Sequence, residues 1–348
     1  MYDIYMEENI HNEIEEADNS SDQNESPTYK KPREYDKKIV IAVGLLVIFL
    51  ISVLVVFLLT KESVPQNNYS ARRVLVPQQQ IIKPTLLPTP TASQAPLSSI
   101  PIYQQMLAND KPGYDYAISK GVQFSTTKDG KSFFMYWKPD GWSELHPKKL
   151  IVNLSGHGVY VTQGFSDWYG ILTDKNQFAI LSLQWWDGEG EKYQDYYTPE
   201  EIMSEVNNFL AANNFTKDDL IVLHGFSRGS ANSYAVAAID ASQNSYFDIN
   251  IANAGGASLD FPGNQAIQNG NYGVRPLANT KWILFCGEKD PNPEQSGCPG
   301  MDTTKIWLEK NGAEIILFLK DPTGNHGAFM KNAINAKSAL NTILSQYK

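Results

Sequence analysis

The pattern of apolar and polar positions divides this chain into stretches of very different texture. Positions 39–60 run from Ile39 to Thr60 without one charged residue and without a polar stripe. As a helix such a run reaches about 33 Å, enough to cross the hydrocarbon core of a bilayer. A second texture begins near residue 101. Short, mostly apolar runs recur at 150–154, 178–183, 220–223, 247–252, 282–286 and 314–319, each of strand length. Helical patterns lie between most of them, at 199–212, 230–239, 301–311 and 327–346. Ahead of these, 121–127 and 131–138 flank Lys128-Asp129-Gly130, turn chemistry that predicts a hairpin. Apolar strands alternating with helices predict an α/β domain with a mostly parallel sheet and helices on both faces. Ligands bind beyond the carboxyl ends of the strands in such a sheet.

Between the two textures, residues 61–100 are rich in Pro, Ser, Thr and Gln, as in Leu87-Pro88-Thr89-Pro90-Thr91. Proline at this density excludes helix and central strand and favours an extended, semi-rigid chain. The organisation predicted is an acidic tail over 1–38, a transmembrane helix over 39–60, a stalk over 61–100 and one α/β domain over 101–348. Lys30, Lys31, Arg33, Lys37 and Lys38 precede the apolar run, and Lys61 alone follows it closely. The positive-inside bias then puts the N-terminus in the cytoplasm and the domain outside it. The run is too long, and starts too far into the chain, for a cleaved signal peptide.

Charge refines this picture. Of the formal net charge of −9, −6 falls on residues 1–38, which carry eleven acidic and five basic side chains. Few apolar residues accompany them, so the tail is predicted to be disordered. The exported part is close to neutral and has no basic stripe, which argues against nucleic acid as a partner. The two cysteines, Cys286 and Cys298, both lie outside the membrane on this reading. An oxidising compartment permits a disulfide between them; the alternative is a buried thiol at Cys286 and an unrelated loop cysteine. The five histidines are scattered, so neither a metal site nor a cofactor is expected.

Candidate chemistry centres on Gly225-Phe226-Ser227-Arg228-Gly229, placed between the apolar run 220–223 and the small-residue helix 230–239. A serine on a tight strand-to-helix turn projects its Oγ above the sheet, and the flanking glycines permit that turn. Downstream, the strand 282–286 leads into Gly287-Glu288-Lys289-Asp290-Pro291, and the strand 314–319 into Asp321-Pro322-Thr323-Gly324-Asn325-His326. Acyl transfer needs a nucleophile, a base and a group to orient the base. Ser227, His326 and Asp290 fill these roles, with Glu288 as the alternative acid. Asp290 also suits a simple turn, because Asp-Pro-Asn-Pro is turn-forming. The oxyanion would be met by the backbone N–H of Arg228 and, from Ser155-Gly156-His157-Gly158, by that of His157 or Gly158. His224 reads as a packing residue. Trp185 and Trp186, in an aromatic segment after 178–183, either wall a substrate pocket or cover the core edge.

These four motifs, Gly-Phe-Ser-Arg-Gly, Ser-Gly-His-Gly, Gly-Glu-Lys-Asp and Asn-His-Gly, resemble those of the α/β-hydrolase superfamily, in the order Ser, Asp, His that it uses. From about residue 120 onward the chain is similar to exported esterases of the polyhydroxybutyrate depolymerase and feruloyl esterase type. Arg228 departs from the small residue often found after the nucleophile. The resemblance implies an α/β-hydrolase fold and an esterase acting on a small or polymeric ester. A peptidase of the same fold and a catalytically silent binding domain are the alternatives.

Overall fold

The computed structural model describes residues 95–172, 177–188 and 190–347. The run 39–60, the acidic tail and most of the stalk lie outside the described residues. Among the described residues, no helix is long and apolar enough to cross a membrane.

Eight strands form one sheet: β1 (Gln123–Thr126), β2 (Phe133–Trp137), β3 (Lys149–Leu154), β4 (Ala179–Leu183), β5 (Leu220–Phe226), β6 (Phe247–Asn253), β7 (Lys281–Gly287) and β8 (Glu314–Asp321). Their order across the sheet is β1-β2-β4-β3-β5-β6-β7-β8. The hairpin is present, with Thr126 opposite Phe133 and the strands antiparallel. β2 also runs antiparallel to β4, and the remaining pairs are parallel. Each of the six short runs is thus a strand.

Strand parity sorts side chains between two cores, because successive residues point to opposite faces. Leu150, Val152 and Leu154 of β3 join Ile221, Leu223, Trp282 and Leu284 on one face. Ile151, Val222, Ile283 and Phe285 occupy the other. Burial on both faces explains why these strands show apolar runs instead of alternation.

Helices cover both faces. They are α1 (Pro101–Asn109), α2 (Lys111–Ser119), α3 (Val161–Leu172), α4 (Pro199–Ala212), α5 (Arg228–Gln243), α6 (Pro262–Gln268), α7 (Cys298–Lys310), α8 (Ala328–Lys331) and α9 (Ala333–Gln346). α4, α5 and α7 supply the first core, with residues such as Val206, Tyr234 and Met301. α1, α3 and α9 supply the second through Met106, Phe165 and Leu340.

Three expectations need correction. The single helix over 327–346 is broken at Asn332, whose side chain accepts the Ile334 N–H and caps α9. α1, α2, α3 and α6 have no counterpart in the sequence reading. α3 carries Gly164 and Gly170 inside it, and burial of Val161, Phe165, Trp168 and Leu172 overrides their low propensity. Finally, the folded part starts before residue 101: Ile100, assigned to the stalk, is 1% exposed and packs in the second core.

Candidate active site

The three groups singled out for chemistry come from distant parts of the chain and meet at the carboxyl edge of the sheet. Ser227 follows β5 directly, Asp290 stands in the loop after β7, and His326 in the loop after β8. His326 Nε2 lies 2.9 Å from Ser227 Oγ. Its Nδ1 lies 2.7 Å from Asp290 Oδ2. In the arrangement these contacts fit, the Nδ1–H donates to the carboxylate and Nε2 accepts from the serine hydroxyl.

Local sterics set the serine. Its backbone is at φ 54°, ψ −119°, outside the regions that L-residues favour. Its N–H is held by the Asn253 carbonyl at 2.9 Å, and its carbonyl accepts the Ala231 N–H at 3.0 Å. The turn closes only because no Cβ intervenes at its two glycines. A methyl at Gly225 would stand 2.5 Å from the Gly229 carbonyl oxygen, and one at Gly229 would stand 2.2 Å from that of Leu154. Arg228 is the first residue of α5, where helical N–H groups lack intrahelical partners and the dipole favours negative charge.

Asp290 makes contacts of both kinds weighed for it. Oδ1 accepts the Asn292 N–H and the Ser296 hydroxyl, each at 2.9 Å, which is the turn chemistry of an Asp-Pro-Asn segment. Oδ2 is left for the imidazole. The carboxyl group is fully buried, whereas Glu288 is exposed. A disulfide between Cys286 and Cys298 closes this loop, tying the end of β7 to the start of α7.

The histidine loop is anchored by Asp321, a residue the motifs did not flag. Its Oδ2 accepts amide hydrogens from Asn332 at 3.1 Å and Asn335 at 2.8 Å, and its Oδ1 accepts the Thr323 N–H at 3.0 Å. These donors, the Asn335 amide first, hold its carboxyl down at about 2. Phe226 packs against the His326 ring with centroids 5.0 Å apart.

His157 lines an open cleft of about 340 Å³ together with Ser227, Arg228 and His326. Gly158 instead takes φ +63° in a turn closed by the Val159 N–H on the Gly156 carbonyl. A Cβ at Gly156 would lie 3.2 Å from Ser227 Cβ, so the peptide leading into His157 sits beside Ser227. Gly158 N is 3.7 Å from the Cβ position of Gly190, on the side of the 190–196 loop. The His157 side chain faces that loop too, with Nδ1 3.0 Å from Tyr196 Oη and Nε2 3.2 Å from Glu191.

The two tryptophans do not wall this cleft. Trp185 and Trp186 are 1% and 2% exposed. Their indole N–H groups donate to the Ser155 and Val159 carbonyls at 2.9 and 3.0 Å, so they support the 155–159 loop from inside. Trp185 borders only a smaller hollow of about 70 Å³ next to the cleft. Aromatic content alone did not distinguish a pocket from a support; the deciding signal is where each indole N–H finds its acceptor.

His224 is buried beneath the elbow. Asn153 Oδ1 lies 2.7 Å from its Nδ1 and Asn253 Nδ2 lies 3.2 Å from its Nε2. Burial lowers its pKa to about 3, so it is neutral. Among the described residues, no cluster of His, Cys, Asp or Glu could hold a metal ion.

No family model matches the chain, and no curated protein matches it. Solved structures similar to it include a fungal esterase from Rhizomucor miehei, 13% identical with a TM-score of 0.49, covering 73% of this chain and 94% of that one. The Francisella virulence factor BioJ is 13% identical with a TM-score of 0.48, covering 72% and 96%. An esterase from Pyrococcus furiosus is 15% identical with a TM-score of 0.46, covering 66% and 94%. Identities and scores this low leave the chemistry to be argued from this chain's own residues.

Proposed function

We propose that this protein is a serine hydrolase of the α/β-hydrolase type that cleaves carboxylic esters through an acyl-enzyme. The observation that carries the reading is the Asp290–His326–Ser227 relay, with contacts of 2.7 and 2.9 Å joining three loops remote in sequence. In the proposed reaction, Ser227 Oγ attacks the ester carbonyl carbon while His326 Nε2 takes the hydroxyl proton. Asp290 keeps the imidazole in the tautomer that exposes Nε2 and stabilises the imidazolium that forms. The N–H groups of Arg228 and His157 meet the negative oxygen of the tetrahedral intermediate. Collapse breaks the carbon–oxygen bond to the alcohol, which leaves with the proton from His326. Water then attacks the acyl-serine with His326 as base, releasing the acid and restoring the serine.

The choice of His157 over Gly158 rests on its place in the cleft beside Ser227. The uncharged run 39–60 and its flanking lysines support a second part of the reading: a single-pass anchor holding the domain outside the cytoplasm, where a disulfide persists.

The test uses the full-length protein and Ser227→Ala, a fluorophosphonate probe and p-nitrophenyl esters from acetate to palmitate. The wild type is expected to label and turn over, and Ser227→Ala to lose labelling and about 10⁶-fold of turnover. A folded wild type that neither labels nor hydrolyses any ester would overturn the proposal and favour a binding domain.

A further inference from the structure

The residue after the nucleophile contributes only a backbone N–H to the chemistry above, and any residue supplies that. This chain places an arginine there, and its guanidinium is held in a defined position. Arg228 Nη1 donates to the Gly190 carbonyl at 2.9 Å and to Tyr196 Oη at 3.0 Å. Its Cζ stands 5.6 Å from the centre of the Tyr196 ring. A guanidinium carries N–H groups on all three nitrogens, so the Nε–H and both Nη2 hydrogens remain for another acceptor. Among the described residues, Arg228 forms no ion pair. It lines the same cleft as Ser227 and His326 and stands at the start of α5, whose positive end adds to the local field.

Aromatic and acidic residues share the cleft with Arg228. Tyr193 and Phe261, with ring centroids 5.6 Å apart, border both the cleft and the smaller hollow, and Arg228 lies where the two meet. Asp260 also lines the cleft, with its Oδ2 accepting the Ser258 hydroxyl at 3.0 Å. The cleft therefore carries a cation at Arg228 and an anion at Asp260, and a negative group on a bound molecule is attracted by the first and repelled by the second. A fork of donors held in place ahead of binding suits a planar carboxylate.

Building on the hydrolase reading, we propose that Arg228 is a specificity-determining residue and that the substrate is an ester carrying a carboxylate near the scissile bond, which the free edge of the guanidinium binds.

Two pairs of esters test this on the full-length protein. The p-nitrophenyl half-ester of adipate is compared with neutral p-nitrophenyl heptanoate, and 3-carboxyphenyl acetate with phenyl acetate. The first pair puts the charge on the acid side and the second on the alcohol side. Wild type, Arg228→Met and Arg228→Lys are assayed, with buffer rates subtracted. In at least one pair the wild type should favour the anionic ester in kcat/KM by about tenfold to a hundredfold, the range of a charge-assisted hydrogen bond. Arg228→Met should remove that ratio, mainly through KM, and Arg228→Lys should keep part of it. The wild-type ratio should also shrink as salt is raised.

If Arg228 only staples the 190–196 loop, Arg228→Met slows both members of a pair alike and the ratio stands, which overturns the proposal. A wild type without preference in either pair overturns it as well, even if Arg228→Met does not fold, and leaves the hydrolase reading intact. A wild type that hydrolyses no ester and takes no fluorophosphonate overturns both.

Discussion

The nucleophile turn and the 190–196 loop face each other across one cleft, yet unlike forces hold them. At the turn, backbone is pressed on backbone. Gly229 meets the Leu154 carbonyl where a methyl would fit only at 2.2 Å, and nothing flexible stands nearby to yield. The loop is tied by polar groups near the surface. Asp195 Oδ2 accepts the N–H groups of Glu191 and Lys192, each at 3.1 Å, and the Tyr196 hydroxyl donates to the Gly190 carbonyl at 2.5 Å. Glu191, Lys192, Tyr193 and Gln194 are exposed. Steric contact between backbones tolerates almost no change, whereas solvated hydrogen bonds each contribute about 1 kcal/mol and are removed singly. The part that holds Ser227 is therefore the rigid one, and the loop beside it is adjustable.

The largest effect expected from breaking this contrast is at Gly229→Ala. The added methyl forces β3 and α5 apart at the turn, and a loss of at least about 4 kcal/mol is expected, or no folded protein at all. Urea unfolding with near-ultraviolet circular dichroism measures it. A midpoint close to wild type would mean that the backbone there can give, and the contrast would fail.

A smaller, pH-dependent effect comes from His224 beneath the turn. Its folded pKa of about 3 lies below the ordinary 6.5 because burial penalises the charged ring. Below pH 6.5 the unfolded chain binds a proton that the folded protein does not, so stability declines as pH falls. The contribution is complete above 6.5 and is lost progressively towards about 3. Urea midpoints between pH 7 and pH 5 should fall for wild type and fall less steeply for His224→Gln. Equal slopes would show that the folded protein takes up a proton at His224 after all.

The smallest effect is expected on the loop side. Asp195→Ala removes two hydrogen bonds and should cost about 2 kcal/mol locally, with the global urea midpoint nearly unchanged. Hydrogen exchange should speed up over 190–196 and not at the nucleophile turn. Faster exchange in both regions would mean that they move as one unit.

Much of this architecture was legible along the chain because its physical cause is local. The inner strands are covered on both faces and mostly apolar, and the edge strand β8 is apolar over 315–319, so six runs marked six strands, and the hairpin showed itself by its Lys128-Asp129-Gly130 turn. The turn at Ser227 was legible in part for the same reason, since Gly225 answers to Gly229 and Ser230 close by in the chain, whereas Gly229 answers to the Leu154 carbonyl of β3. α3 stayed hidden because its glycines argue against helix in isolation, and only the sheet beneath it supplies the burial that outweighs them.

The remaining questions depended on what lies beside a residue in space. Glu288 stood two residues away as the alternative to Asp290; burial against His326 and Ser296 separates them. His157 and Gly158 are adjacent in the chain; the fold puts His157 on the cleft that Ser227 lines and the Gly158 nitrogen 3.7 Å from the Cβ position of Gly190. Trp185 and Trp186 became supports because carbonyls of the 155–159 loop accept their N–H groups. Composition and periodicity report the average environment of a segment, which determines strands, helices and tight turns. Which oxygen faces which nitrogen across loops ninety-nine residues apart, as between Ser227 and His326, is decided only when the sheet brings the loops together.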